Sequence, residues 1–405
     1  MTKSGATLRR SIGLPLLTLY GLGTILGAGI YVLIGEVAGV AGYSTPLAFV
    51  IACCVASLTG LSYAELSSSL PRSAGEAAYV NAAFSRIEIA HAVGAAVILT
   101  GIDSAATMLR GLVGYFSVFA ALPDAVVVGT GAVILFAISA WGIGQALWAA
   151  ALVTIIEAAG LIYICVVADT GGTEIADTLY QMVTLTGADG IAGVVAGSFL
   201  AFYAFIGFED IVNVAEEVKQ PERSLPLAIV LSLVAATLIY FLVSTVAIMS
   251  VAPDDLAATQ APLALVAVSG GQPGEPIALI SLLAVTNGAL IQIIMASRVL
   301  YGMADQGLIW NTFARVNPHT RTPLIATTTV AVAILVLALF FSLGELARFT
   351  SALALLIFAM VNIALLRLKR RTDHNPRFQV PGIIPRLALL ACLVMLVQDQ
   401  YSRFF

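Results

Sequence analysis

Eleven largely apolar runs, most of them about twenty residues or longer, follow one another along this chain. They lie near 13–40, 43–66, 91–121, 124–143, 146–168, 191–217, 225–251, 277–303, 322–342, 346–366 and 383–401. A helix of about 20 apolar residues crosses the hydrocarbon of a bilayer. Inside lipid the backbone is satisfied only in helices or closed barrels, and barrel strands alternate in segments of about ten residues. These runs are continuous, so the expectation is an all-α polytopic membrane protein of about eleven spans. Composition agrees: the 405 residues are 60% hydrophobic and 10% charged, against about 45–50% and about 25% in soluble domains. A formal charge of −4 names no partner, and no nucleic-acid surface is expected. The first run is too long for a cleavable leader and has glycines at its centre.

Loop charges set the orientation. Lys3, Arg9 and Arg10 precede the first span. Arg72 and Arg86 lie in the second-to-third loop, Lys219 and Arg223 in the sixth-to-seventh, Arg315 and Arg321 in the eighth-to-ninth, and Arg367, Lys369, Arg370, Arg371 and Arg377 in the tenth-to-eleventh. The opposite loops at 169–190 and 252–276 hold Asp169, Glu174, Asp177, Asp189, Asp254, Asp255 and Glu275, with no Lys or Arg. The N-terminus is therefore expected in the cytoplasm. An odd span count puts the C-terminus outside an inner membrane.

Spans one and six are both long and glycine-rich, with Gly21, Gly23, Gly27 and Gly29 in one and Gly193, Gly197 and Gly207 in the other. Glycine costs a helix interior about 1 kcal/mol, so the cluster around Gly27 needs a reason. Close packing by small residues is one. Unwinding, which exposes backbone groups to a ligand, is the other, and backbone unwound at membrane depth has to line a cavity. Span six carries its own interruption in Tyr203 to Asp210. The two spans lie five apart and so enter from opposite sides, the pattern of a five-plus-five inverted repeat with discontinuous helices one and six. Its halves are expected at 1–168 and 191–366, with 367–405 as a basic loop and an extra helix. Freed carbonyls near Gly207 would accept bonds from an ammonium group, with Phe202, Tyr203, Phe205 and Phe208 available to cover it.

The run Gly-Leu-Gly-Thr-Ile-Leu-Gly-Ala-Gly-Ile-Tyr at 21–31 resembles the first-helix motif of the amino acid–polyamine–organocation (APC) superfamily. Phe205 to Asp210 with Ala215 to Pro226 resembles its sixth helix, 296–307 its eighth, and 71–79 its second-to-third loop. The likeness covers nearly the whole chain and is nearest to the cationic amino acid transporter and prokaryotic proton-coupled branches. It implies the leucine-transporter (LeuT) fold, with an amino acid bound between helices one and six. Thr24, Gly27, Ala28 and Gly29 would hold the carboxylate, while Tyr203, Ala204, Phe205 and Ile206 would hold the amino group and shape the side-chain pocket. Family members usually have twelve or more spans, which leaves open any dimer contact made by a twelfth, so monomer or homodimer both stand. The cationic branch tends to carry a carboxylate at the position aligned with Thr100, and its absence here weakens a cationic-substrate reading.

Charges at membrane depth are costly and are functional candidates. Glu157 lies in the middle of span five, where proton-coupled relatives carry a lysine in place of a sodium ion. Desolvation penalises a charged carboxylate, so Glu157 is expected to be a proton-coupling or gating group, touching helix one near Gly23 and helix eight near Ser297. Asp103 and Arg110 share a face of span three, about 10 Å apart by helical rise. Asp103 facing the cavity would favour an amine or cationic substrate. Glu65 and Glu76 read as cytoplasmic helix ends, Glu216 and Glu217 as partners of Lys219 and Arg223, and 367–371 as a topology signal in contact with lipid headgroups. Cys53, Cys54, Cys165 and Cys392 sit in apolar runs as small hydrophobes, and His91, His319 and His374 are scattered. No metal, cofactor or catalytic set is expected, so an enzyme is not. The expected function is secondary active transport of amino acids, as proton symport or exchange. The alternatives are a cationic amino acid or polyamine carrier, and a non-transporting amino acid sensor on the same fold.

Overall fold

A computed structural model describes residues 10–27, 29–71, 75–141, 147–171, 176–177, 180–181, 190–305, 307, 309–318, 320, 322–371 and 376–404. Among them regular structure is helical, apart from one isolated parallel bridge between Ile12 and Val218. The first run forms α1 (Leu14–Leu26) and α2 (Gly29–Ala41), followed by α3 (Thr45–Ser69), a short α4 (Gly75–Phe84) and α5 (Ile87–Ser117). Pro123 separates α5 from α6 (Asp124–Trp141); α7 (Leu147–Val167) follows. The sixth run is α8 (Gly190–Phe202) with two 3-10 segments, Tyr203–Phe205 and Phe208–Glu217. Next come α9 (Pro221–Ser250), α10 (Pro253–Ala258), α11 (Pro262–Ser269), α12 (Glu275–Asp305), α13 (Leu324–Phe340), α14 (Leu343–Leu368) and α15 (Ile383–Phe404).

Local chemistry explains these ends. Pro15, Pro46, Pro221, Pro253 and Pro262 each fall in a first turn, where the missing amide hydrogen is not needed. Those at 253 and 262 start helices inside a stretch read from sequence as plain loop, and this corrects that reading. Ser342 and Glu345 close a reciprocal capping box on α14. Seven described segments are long and apolar enough to cross a membrane, and Asp124–Ala140 and Leu324–Phe340 are apolar but shorter. The exterior is apolar too: Val166, Leu238 and Phe340 are 77%, 60% and 79% exposed, as side chains facing lipid would be.

The interior places the two interrupted segments side by side. α1 packs on α9 and α7, and α2 on α8. α5 lies along α12, and α3 along α9. Near the basic loops, Ser11 and Ile12 donate to the Glu217 carbonyl and Lys219 donates to that of Ile12, so the start of α1 is stitched to the end of the second 3-10 segment. Much of the basic run after α14 bonds to protein rather than extending to headgroups. Lys369 pairs with Glu65, Arg371 donates to the carbonyls of Ala82 and Ala83, and the Arg367 guanidinium lies over the Phe84 ring.

Candidate substrate site at the two helix breaks

Gly27 still donates to the Gly23 carbonyl at 3.0 Å, which completes the last turn of α1. Ala28 lies outside the described residues, and α2 restarts at Gly29. A Cβ on Gly27 would approach the Gly288 Cα of α12 to 3.4 Å, and one on Gly23 would collide with Thr154 Oγ1 of α7. Of the two sequence explanations for the glycines, close helix approach is what the described residues show; the unwinding expected around Gly27 to Gly29 turns on Ala28, outside them.

The second break has more distinct geometry. Tyr203–Phe205 forms one 3-10 turn, Ile206 is extended, and Gly207 has φ +124°. An L side chain rarely adopts that angle. A Cβ there would also stand 2.5 Å from the Thr24 carbonyl oxygen. Thr24 Oγ1 makes contacts of 2.9 Å with the carbonyls of both Gly21 and Gly207. The Gly207 amide donates to Glu209 Oε2 at 2.9 Å. Thr24 and Gly207 thus join the breaks directly.

Gly29 completes the junction. A Cβ there would meet the Ala204 Cα at 2.7 Å and Tyr240 Oη at 2.6 Å. Tyr240 of α9 reaches the Ile25 carbonyl at 2.7 Å and the Ala204 carbonyl at 3.0 Å. Its ring meets Phe205 edge-on at 5.2 Å, while Tyr203 Oη lies 3.0 Å from Ser104 Oγ on α5. Of the predicted substrate residues, Thr24, Gly29, Ala204, Phe205 and Gly207 are brought into one junction, and Ile206 lines its lower edge. Tyr240 is the residue that sequence reasoning missed.

Below the second break Ile206 and Thr100 line a small cavity with Glu76, Glu209, Asp210 and Gln292. Its free volume is about 20 Å³, of the order of one water molecule. Asp210 accepts from Gln292 and Asn213 at 3.3 Å each, and Glu76 from Tyr63 at 3.1 Å. Glu76 is therefore not a plain helix end. The adjacent acids Glu209 and Asp210, in an apolar run, were the available signal for this cavity.

Glu157 on α7 is fully enclosed, and no hydrogen bond of full geometry reaches its carboxyl oxygens, although the Asn287 side chain of α12 lies close enough to interact with them. Its backbone carbonyl accepts from Tyr31 of α2 at 2.6 Å, and the carbonyl of Tyr31 accepts from Tyr115 of α5. Thr154, one turn earlier, is the α7 residue against Gly23. On α12 the side chain bearing on Glu157 is Asn287. Ser297 is ten residues further on, about 15 Å of helix, and bonds to its own helix at Ile294. The expected approach of Glu157 to helix eight thus falls at Asn287, not at Ser297. Asp103 is buried and accepts from Thr350 of α14 at 2.6 Å. Arg110 turns away to pair with Asp124 at 3.1 Å.

A helical chain with an apolar exterior and interrupted helices meeting inside it is a multi-pass membrane protein. A sequence model of the amino acid permease family matches residues 12–399, and the chain belongs to that family. Its class is therefore that of transport proteins rather than enzymes. The branched-chain amino acid permease BcaP of Bacillus subtilis (strain 168) is 30% identical over 98% of this chain and 89% of its own length. Cationic amino acid transporter 2, vacuolar, of Arabidopsis thaliana is 31% identical over 90% of this chain, which spans 60% of that longer protein. The methylthioribose transporter of Bacillus subtilis (strain 168) is 26% identical, over 96% of this chain and 88% of its own length.

Proposed function

We propose that this protein is a secondary active transporter that moves amino acids across a cytoplasmic membrane by alternating access, as a proton symporter or an exchanger. The observation that carries the reading is the meeting of the two helix breaks, Thr24 against Gly207 and Gly29 against Ala204. A zwitterion needs donors and acceptors within a few ångströms of each other. The restart of a helix at Gly29 offers amides and the positive end of a dipole to a carboxylate. The carbonyls from Tyr203 to Gly207 offer acceptors to an ammonium group. Residues 1–168 and 191–366 would form the two inverted halves, with 367–405 appended, and the basic loops would face the cytoplasm. Glu157 is assigned the coupling proton, with Gly23 holding α1 close to α7. Asp103, bonded to Thr350, is placed to tie α5 to α14 during gating rather than to read substrate charge. Ser297 has no part in the Glu157 step.

A second reading has its own support. Glu76, Glu209 and Asp210 supply beside Thr100 the carboxyl groups that residue 100 itself lacks, and relatives at 29–32% identity are named cationic amino acid transporters. Cationic amino acids or polyamines are then the cargo. The test is thermal denaturation of the detergent-purified protein with each of the twenty amino acids and common polyamines, at acidic and alkaline pH, followed by counterflow in liposomes. A ligand that binds only the folded state raises the melting temperature. Neutral amino acids are expected to do so, and saturable counterflow is expected with the same ligands. Stabilisation by arginine or polyamines alone would move the second reading to first place, and binding without counterflow would favour a sensor.

A further inference from the structure

We propose that the flank formed by α6 and α13 sits in a locally thinned bilayer, anchored by an aromatic face on the turn before α13 at the boundary between lipid headgroups and acyl chains. α6 has 18 residues and α13 has 17, which at 1.5 Å per residue makes each about 26 Å long. The hydrocarbon of a typical bilayer is about 30 Å thick, and a tilted helix spans less than its length. α9 and α12, with 30 and 31 residues, exceed that thickness by about half. The two short helices are neighbours. α13 packs on α6, and Thr322 Oγ1, just before α13, donates to the Ala140 carbonyl in the last turn of α6 at 3.0 Å. Their ends on the side of the basic loops are thus held level. At the far end α13 gains nothing, because Phe340 closes it and Ser342 already caps α14. The shortfall of about 4 Å is built into the packing.

The turn that enters α13 carries the anchor. Asn311–Ala314 is a 3-10 turn, and the Trp310 carbonyl accepts from the Phe313 amide at 3.2 Å. With three residues per turn, side chains at i and i+3 eclipse, so Trp310, Phe313 and Val316 fall on one side. The rings of Trp310 and Phe313 lie 6.4 Å apart and tilted by 35°. Trp310 is 80% exposed and Val316 46%. The backbone beneath them is packed on α12 and α13, so the face is held in place. Tryptophan favours the membrane–water boundary, where its apolar body meets acyl chains and its N–H meets headgroups. This face continues the apolar exterior of α13, where Ile325, Val332 and Val336 are exposed. The exposed Arg315 beside it suits lipid phosphate. A leaflet of ordinary thickness would cover the exposed Asn311 and Thr312 as well. Lipid yields to such a mismatch more cheaply than unpaired backbone enters hydrocarbon, so the leaflet thins to the level of the turn.

Lipid contact at this surface does not depend on what the protein carries, so the experiment reads lipid and not transport. Trp141→Phe/Trp148→Phe leaves Trp310 as the single tryptophan of the full chain. The protein is reconstituted into dioleoyl phosphatidylcholine liposomes. These contain phosphatidylcholine brominated either near the carbonyl end or near the methyl end of its chains, and iodide is added to the water in a parallel series. Trp310 should lose most of its fluorescence to the shallow bromines and little to the deep bromines or to iodide. The same depth profile should hold in the thicker bilayer of dierucoyl phosphatidylcholine, because the leaflet follows the turn. Strong quenching by iodide without an effect of bromolipid would put Trp310 in water and overturn the proposal. A shift to deep-bromine quenching in the thicker bilayer would mean that the turn sinks into an unthinned leaflet, which overturns it too. Should the double variant not fold, the wild type and Trp310→Phe are compared in the same liposomes. Their difference spectrum isolates Trp310, and the same outcomes decide.

Discussion

Glu157 has a carboxyl group inside the bundle that no hydrogen bond of full geometry reaches. A buried polar group left without a partner costs about 1–3 kcal/mol, more if charged. Such a side chain makes sense in a transporter whose other conformation satisfies it, or whose cycle neutralises it with a proton. Its surroundings couple it to the moving parts: Tyr31 of α2 bonds to its backbone carbonyl, and Asn287 of α12 bears on its side chain. Glu157→Gln keeps size and hydrogen-bonding capacity but cannot exchange a proton. In liposomes wild-type uptake should quicken as external pH falls, because the external proton is a co-substrate. The variant should lose most of that dependence while still exchanging amino acid for amino acid. A variant with the wild-type pH profile would remove Glu157 from the coupling step.

Elements meet most closely where the breaks face each other, and Gly207 is the tightest point. Gly207→Ala meets two independent penalties. A φ of +124° is foreign to an alanine, and its Cβ would stand 2.5 Å from the Thr24 carbonyl oxygen. Left-handed backbone alone costs an L residue about 1–2 kcal/mol, and the clash with backbone cannot be relieved by turning a side chain. The variant should melt several degrees lower and lose amino acid stabilisation. A full ligand response would mean that the breaks need not touch for binding. The second break was legible in the sequence because glycine in an apolar helix is costly, and Gly207 is where the helix gives way. Tyr240 was not legible, since one tyrosine in an apolar run reads as packing until the fold shows which carbonyls its hydroxyl reaches. Glu76 and Ser297 show the same limit. Sequence places a residue along its helix within a turn, but the direction its side chain takes depends on the neighbouring helix. Asn287 rather than Ser297 bears on Glu157 for that reason.

At the scale of the whole molecule, the segment after α14 returns across the end of the bundle that carries the basic loops. Glu65, fully buried on α3, pairs with Lys369 Nζ at 2.6 Å and accepts from the Val380 amide at 2.8 Å. Lys369 also donates to the Val380 carbonyl at 2.7 Å, and the Phe378 amide to Ser68 at 3.2 Å. Arg377 reaches Glu222 at the start of α9, at 3.0 Å. That last pair is exposed and contributes little, so the buried Glu65 decides the matter. Breaking a buried pair from one side leaves an uncompensated charge and costs about 3–5 kcal/mol. Lys369 keeps 20% of its side-chain exposure, so Lys369→Met should fall near the lower end, at about 3 kcal/mol. Replacing both partners by apolar residues of similar size is often neutral or stabilising. The double variant Glu65→Met/Lys369→Met should therefore recover most of the melting temperature lost by Lys369→Met. Recovery with transport intact would give the pair a role in holding the segment after α14 in register and none in the cycle. Recovery of stability with transport still lost would mean that α3 and α14 must separate or slide at this end during each cycle, and that the ion pair is what lets them return.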